Sequence, residues 1–309
     1  MLLPRSVYIT RYRNECLLVL SHINFLSFHT RPRYFQFTPT FATSPPRNDH
    51  PAATTIMTLT RFLVISDTHD TWPYTSSSPP PATDVLLHCG DLTQLGGLSS
   101  FERAMEHIKS VPCELKLVIA GNHDLQLDPI WIRKNAAEES LDIIEELEWG
   151  RKCYEHMKSL EPHGIYYLSE GVHEFTLKSG ARFKVYASPY TPEFKGHAFA
   201  YGNEEDRFNL GRSPIPAGVD IVMTHGPPLL QHMQCDLDCD IHDRRLGCEK
   251  LMEAIQRTKP RLHCFGHVHE GRGSARLTWE EKAGGGMKSF EPLGRNIVIK
   301  VRDERATVL

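Results

Sequence analysis

The sequence offers no long apolar run: nothing in its 309 residues matches the roughly twenty consecutive apolar positions that a membrane-spanning helix needs, so no membrane partner is expected. Net charge is nearly absent as well. Thirty-five Lys and Arg against 38 Asp and Glu leave −3, which supplies no electrostatic footprint for a nucleic acid polymer or an anionic bilayer. No basic stripe interleaved with aromatics stands out, which counts against a nuclease that tracks single strands. Neither a GxSxG elbow nor a P-loop occurs, so serine nucleophiles and phosphate cradles of those kinds have no basis here. A repeating CxxC pattern is missing too. The eight cysteines (16, 89, 113, 153, 235, 239, 248 and 264) are scattered, and Cys89 in VLLHCG and Cys264 in LHCFGH read as small buried hydrophobes. A chain of this size without a cysteine framework is expected to be intracellular, in the cytoplasm. Cys235 and Cys239 read as an ordinary loop pair, with a bridge or a metal pair as the alternatives.

Acidic residues are scarce in residues 1–58, where six arginines (5, 11, 13, 31, 33 and 47) face only Glu15 and Asp49. Such a bias is that of a mitochondrial transit peptide, although Pro32, Pro39, Pro45 and Pro46 break any long amphipathic helix. CLLVL is too short for a signal-peptide core, and Met57 offers an alternative translation start. The expectation is a disordered extension over 1–58, with targeting as the alternative, followed by a single domain over 59–309.

From Thr60 onward the chain becomes orderly. RFLVIS runs into SDTHD, DVLLHC into GD, LKLVIA into GNHD, DIVMT into HGPP, and RLHCF into GHVHEG. Each short apolar run suits a strand buried on both faces, and each opens into a loop rich in Asp, His, Asn and Gly. Between them, Phe101, Ala104, Met105 and Ile108 keep helical spacing, with Ser99 and Glu102 as an expected capping box. AEESLDIIEELEW repeats the spacing with Leu141, Ile144 and Leu147, and CEKLMEAIQR with Leu251, Ala254 and Ile255. VHEFTL and ARFKVYA read as paired strands around KSG, and ARLTW and NIVIKV as closing strands. The Gly284–Gly286 stretch reads as a flexible loop. This order predicts an α/β sandwich with its polar loops gathered at strand ends, where ligands bind.

The polar groups at those ends are Asp67 and His69, Asp91, Asn122 and His123, His225, and His267 and His269. Carboxylate, imidazole and amide oxygen together suit borderline divalent metals, and the absence of cysteine among them argues against a structural thiolate zinc site. Taken singly, D-x-H is as much a turn or helix cap as a ligand pair, and Gly90–Asp91 is a common turn dipeptide. Gly266-His267-Val268-His269 is the sharpest element, a ready metal clamp after a buried strand. Five such blocks in one order along one sheet point to a site for two metals, the arrangement that clamps both oxygens of an in-line phosphoryl displacement.

At this point the chain closely resembles the calcineurin-like metallophosphoesterase superfamily, whose blocks run D-x-H, G-D, G-N-H-D/E, a histidine usually followed by Gly, and G-H-x-H. All stand here in order without a substitution at a ligand position, and the resemblance covers residues 60–301. HGPP, GCEKL and FGHVHEGRG look like the metallophosphoesterase-domain-containing branch, which includes weak cyclic-nucleotide phosphodiesterases. Some animal members of that branch carry glycine at the position of His267 and lose activity, whereas this chain keeps histidine. The resemblance implies a two-sheet β-sandwich flanked by helices, the metallo-dependent phosphatase fold. It also implies Asp67, His69 and His269 on one metal, Asn122, His225 and His267 on the other, and Asp91 bridging. It makes His123 the proton donor or charge stabiliser at the phosphate, with Asp124 orienting the His123 ring. The expected cofactors are two divalent ions, Mn²⁺ first, with Fe, Zn²⁺ or Mg²⁺ as alternatives.

The expected reaction is hydrolysis of a small-molecule phosphodiester or phosphomonoester, a cyclic nucleotide among the candidates, by a metal-bridging hydroxide. A protein phosphatase of the same superfamily is an alternative, against which GDLTQLG departs from the GDxxDRG form of those enzymes. A weakly active nucleotide or metal sensor is another. Tyr190 and His197, with Phe194, are expected to contact substrate, with packing of the loop as the competing reading. Asp236, Asp238 and Asp240 stand at calcium-loop spacing but lack the glycine and terminal glutamate of an EF-hand, and read as a solvated acidic loop.

Overall fold

The apolar runs owe their continuity to burial on both faces. On β4 (Val85–Cys89), Val85, Leu87 and Cys89 face one core while Leu86 faces another, so every position is buried. On β5 (Leu115–Ile119), Leu115, Leu117 and Ile119 face the first core and Val118 the second. The computed structural model describes residues 5–9, 15–20, 58–231, 235–280, 286–294 and 297–303. Among the described residues no helix is long and apolar enough to cross a membrane.

Two sheets form the body, beside a small parallel pair of β9 (Thr191–Pro192) and β10 (Ala200–Tyr201). The first runs in the order β1 (Arg5–Ile9), β15 (Ile297–Asp303), β3 (Thr58–Ile65), β4, β5 and β6 (Ile165–Tyr167), with β3 to β6 parallel. The second runs β14 (Met287–Gly294), β13 (Gly273–Trp279), β2 (Glu15–Leu20), β12 (Leu262–Phe265), β11 (Ile221–Thr224), β8 (Arg182–Ser188) and β7 (Gly171–Thr176). Here β2, β12, β11 and β8 are parallel, and the β7–β8 hairpin is antiparallel as its KSG turn predicts. Between the sheets, Phe62, Val64 and Leu87 pack against Phe183, Val185, Ile221 and Met223. Outside the first sheet, α1 (Leu98–Lys109) and α3 (Ile143–Lys158) seal Leu63, Ile65 and Leu86. Outside the second, α4 (Glu249–Thr258) packs Leu251, Ala254 and Ile255 on Val222 and Phe265, as their spacing requires. Each such fully buried side chain contributes about 1.5–3 kcal/mol relative to exposure. The α/β two-sheet sandwich flanked by helices is the fold that the blocks implied.

Several local expectations are corrected. Arg5–Ile9 and Glu15–Leu20 are strands of the two sheets, so disorder does not describe those parts of 1–58. The CLLVL run has its Cys16 fully buried, and the strand lies between β12 and β13, where an apolar segment can satisfy two sheet edges at once. The stretch 21–57, with its targeting reading and Met57, lies outside the described residues, as do Gly284 and Gly285. The capping box on α1 does not form: the helix begins two residues earlier, with Gly97 as N-cap at φ 94° and no side-chain cap. AEESLDIIEELEW is not one helix. α2 (Pro129–Glu138) ends within it and α3 restarts on Asp142, whose carboxylate accepts from the amides of Ile144 and Glu145. Gly150, Cys153 and Met157 are then the buried face of α3, leaving Leu141 and Ile144 exposed. Asp238 is also no solvated acid: it is fully buried, accepting from the Leu230 amide at 2.9 Å and paired with Arg245. Cys235 and Cys239 are free thiols.

Asp128 ties this frame to the loop above the site. Its Oδ1 accepts from the Ile130 amide to cap α2, and its Oδ2 accepts from the buried Phe199 amide at 2.7 Å. Asp128→Ala is therefore expected to cost about 1–3 kcal/mol, since a cap is lost and a buried N–H is left without an acceptor. Urea denaturation measures this, and an unchanged midpoint would count against the link.

Candidate metal centre

Every candidate ligand lies just past the C-terminal end of a strand. β3 delivers Asp67 and His69, β4 delivers Asp91, and β5 delivers Asn122; from the second sheet, β11 delivers His225 and β12 delivers His267 and His269. The loops of each sheet are stitched to one another, and the His267 amide joins the two groups by donating to Asp67 Oδ1 at 3.0 Å. The amides of Asp67 and His69 donate to the carbonyls of Gly90 and Asp91, and the Gly266 amide donates to the His225 carbonyl. The approach is close enough to demand glycine. A Cβ on Gly121 would stand 2.3 Å from Asp91 Oδ1, and one on Gly266 would stand 1.9 Å from Ser66 Oγ.

The backbone is strained at the same place. Asp67 (φ 55°), His69 (43°), Asp91 (53°) and His267 (75°) all adopt the left-handed conformation. Each costs on the order of 1–3 kcal/mol for a residue with a Cβ, although Asp and His tolerate it better than most. Strain concentrated on the ligand positions turns their side chains toward a common centre.

Two sets of donor atoms result. In the first, one ligand atom from each of Asp67, His69, Asp91 and His269 lies within 4.8 Å of all the others. His69 Nε2 and His269 Nε2 are 3.1 Å apart, and Asp67 Oδ1 is 3.6 Å from the latter. In the second, Asn122 Oδ1 stands 2.8 Å from both His225 Nε2 and His267 Nδ1. Asp91 addresses both sets, with Oδ2 at 3.5 Å from His69 Nε2 and Oδ1 at 3.4 Å from His225 Nε2. Asp91 Oδ2 is buried and makes no hydrogen bond, a costly arrangement for a carboxylate unless a cation meets it. The donor chemistry and this orphaned oxygen fit divalent metal binding.

Hydrogen bonds select the imidazole nitrogens. A carbonyl can only accept, so His69 Nδ1 donates to Thr93 O (3.2 Å) and His225 Nδ1 to Cys89 O (2.8 Å), leaving each Nε2 to the centre. Electrostatics divides the histidines further. Burial works against charge on His225, but Asp91, with Asp67 and the Cys89 carbonyl, outweighs it and lifts the imidazolium to about 10. Burial, reinforced by repulsion from His225, drops His267 to about 4. His69 is lowered by burial, whereas its hydrogen bond to the Asp67 carboxylate raises His269.

The non-ligand expectations fare differently. His123 does reach the centre: its amide donates to Asp91 Oδ1 at 2.8 Å, and its ring meets that of His69 edge-on at 4.8 Å. Asp124 does not orient that ring, which donates instead to Gln94 O at 2.7 Å. The Asp124 carboxylate faces inward, accepting from the amides of Gly121, Leu92 and Thr93 and from Thr93 Oγ1, so it organises the loop rather than the imidazole. Burial and nearby Asp91 push it up to about 7. His197 lies beside the centre, its ring 4.5 Å from that of His123, and Phe194 sits edge-on to His267 at 6.3 Å. Tyr190 belongs to the packing reading instead, with the Arg207 guanidinium 3.4 Å over its ring and Phe199 at its side. Trp131, which no sequence pattern singled out, anchors the loop tip through Nε1 to Gly196 O at 2.8 Å.

With this geometry in hand, the class is clear: the calcineurin-like phosphoesterase family model matches residues 60–271, and the chain belongs to that family. It is 36% identical over 220 residues to Metallophosphoesterase domain-containing protein 1 of Homo sapiens and of Mus musculus, a match that takes in 69% of this chain and 62% of each relative. A UPF0046 protein of Caenorhabditis elegans is 32% identical over 222 residues, taking in 69% of this chain and 70% of its own. The chain thus spans less than two thirds of the length of the human and mouse relatives.

Proposed function

We propose that this protein is a metal-dependent phosphoester hydrolase whose centre takes two divalent cations, Mn²⁺ the leading candidate. One observation carries the reading: buried Asp91 turns one oxygen to His225 and the other, which lacks any hydrogen bond, to His69. A carboxylate addressing two donor sets in this way suits a shared ligand. Asp67, His69 and His269 would complete one set, and Asn122, His225 and His267 the other. When bound, such ions supply a nucleophile from water near neutral pH and offset phosphoryl charge.

The chain's own residues do the rest. His123 commits its Nδ1 proton to Gln94 O, so in the imidazolium form the second proton sits on Nε2, the atom that hands it to the leaving oxygen. His197 and the half-exposed Phe194 form a rim that suits a small organic group on the phosphate, a cyclic nucleotide among the candidates. The eight free thiols suit a reducing compartment such as the cytoplasm.

The purified protein is expected to hydrolyse bis-(p-nitrophenyl) phosphate with Mn²⁺ and to stop when EDTA is added. His225→Ala is expected to lower turnover by at least the roughly 100-fold that loss of a mere supporting partner costs metal centres. Metal-independent hydrolysis, or full activity in the variant, would overturn the assignment.

A further inference from the structure

His69 and His123 share a feature that reaches beyond the candidate ligands. Both turn Nδ1 to main-chain carbonyls, and those carbonyls belong to consecutive residues, Thr93 for His69 and Gln94 for His123. The aim of two imidazoles therefore depends on where one short loop sits. From the interior, Asp124 holds it through the Leu92 and Thr93 amides. From the solvent side, Asp70 holds it: Asp70 Oδ2 accepts from the Gln94 amide at 2.9 Å.

The Gln94 N–H and the Thr93 C=O are the two ends of one peptide unit. Asp70, that amide and the His69 ring thus form a continuous hydrogen-bonded chain. A carboxylate on the N–H polarises the amide and strengthens its carbonyl as an acceptor, which holds the His69 Nδ1 proton and makes Nε2 a better donor to a cation. For His123 the connection passes through the Gln94 Cα and is one of position only. Asp70 is well placed for the task. It is left-handed at φ 61°, its amide donates to Leu92 O, and its other oxygen meets Arg103 at 3.2 Å on the surface.

We propose that Asp70 is a positioning residue of the centre, which aims His69 and His123 through the Thr93–Gln94 backbone. This rests on the reading of the site as metal-binding. The test uses the full chain with Asp70→Ala, Asp70→Asn and Arg103→Ala. Mn²⁺ affinity is followed by calorimetry, and imidazole tautomers by long-range ¹H–¹⁵N spectra of the metal-free protein at pH 9. Asp70→Ala is expected to weaken Mn²⁺ binding about 10–100-fold and to lose the fixed Nδ1–H tautomers of His69 and His123. Asp70→Asn, which keeps an acceptor oxygen, should recover most of both, and Arg103→Ala should change neither, because an exposed ion pair contributes little. Wild-type affinity and wild-type tautomers in Asp70→Ala would overturn the proposal. If the unmutated protein bound no Mn²⁺, the hydrolase reading would fail instead, and the tautomer spectra would still decide the role of Asp70.

Discussion

Asp91→Asn is expected to lower turnover roughly 10³-fold or more, the equivalent of about 4 kcal/mol of transition-state stabilisation withdrawn from a metal-assisted reaction. The substitution keeps the shape of the side chain and removes what the centre uses. The carboxylate is 1% exposed, one oxygen already accepts from the His123 amide, and each oxygen addresses a different donor set. An amide has one acceptor oxygen and an NH₂ that would point at donor nitrogens, so it satisfies one set at most. The fold is expected to tolerate the change, because His225 can give up its proton once its counter-charge is gone, leaving no lone buried cation. Metal analysis should find fewer ions per chain in the variant than in the parent. Full turnover together with full metal content would remove Asp91 from the role proposed for it.

The second large effect is on pH dependence. In the metal-free protein burial works against charge on His225 but Asp91 outweighs it and lifts the imidazolium to about 10, so at neutral pH it carries a proton on Nε2, the atom that would offer its lone pair in the role proposed for it. Binding has to expel that proton. The sign follows: at any pH below about 10 the metal-free site is the more protonated state, so affinity rises with pH. One proton gives tenfold per unit, or roughly 100-fold between pH 6 and pH 8. His269, raised by its hydrogen bond to Asp67, adds to the slope in the same direction. His267, held to about 4, is already neutral there and adds only in acid, where affinity should fall more steeply. Calorimetry in buffers of different ionisation enthalpy should register about one proton or more released at pH 7. An affinity that did not change between pH 6 and pH 8 would contradict the charge assigned to His225.

How much of this was legible in the sequence differs by element. The strand runs could be read because double-sided burial leaves them apolar at nearly every position, with His88, Lys116 and His263 as the buried exceptions, and the α4 face because Leu251, Ala254 and Ile255 repeat at helical spacing. CLLVL hid its identity: five residues from a segment rich in arginine become part of a central strand only when β12 and β13 are there to pair with it. The break between α2 and α3 was hidden because a capping Asp142 inside an acidic run looks like any other helix residue. At the site the donors could be named, but the inward turn of Asp124 could not, since its acceptor role is defined by amides some thirty positions upstream. Asp70 stood in plain view in SDTHD, yet its partner Gln94 is joined to it by tertiary contact alone.

The amino-acid sequence by itself determined the donor atoms and their order along the chain, because side-chain chemistry is local and each block follows its own apolar run. Only the tertiary structure decided which donors meet and through which nitrogen. Asp67 and His267, 200 positions apart, are brought together by the packing of one sheet on the other. The nitrogens are chosen by main-chain carbonyls whose placement comes from long-range hydrogen bonds and left-handed backbone turns, and neither leaves a periodic trace in the sequence.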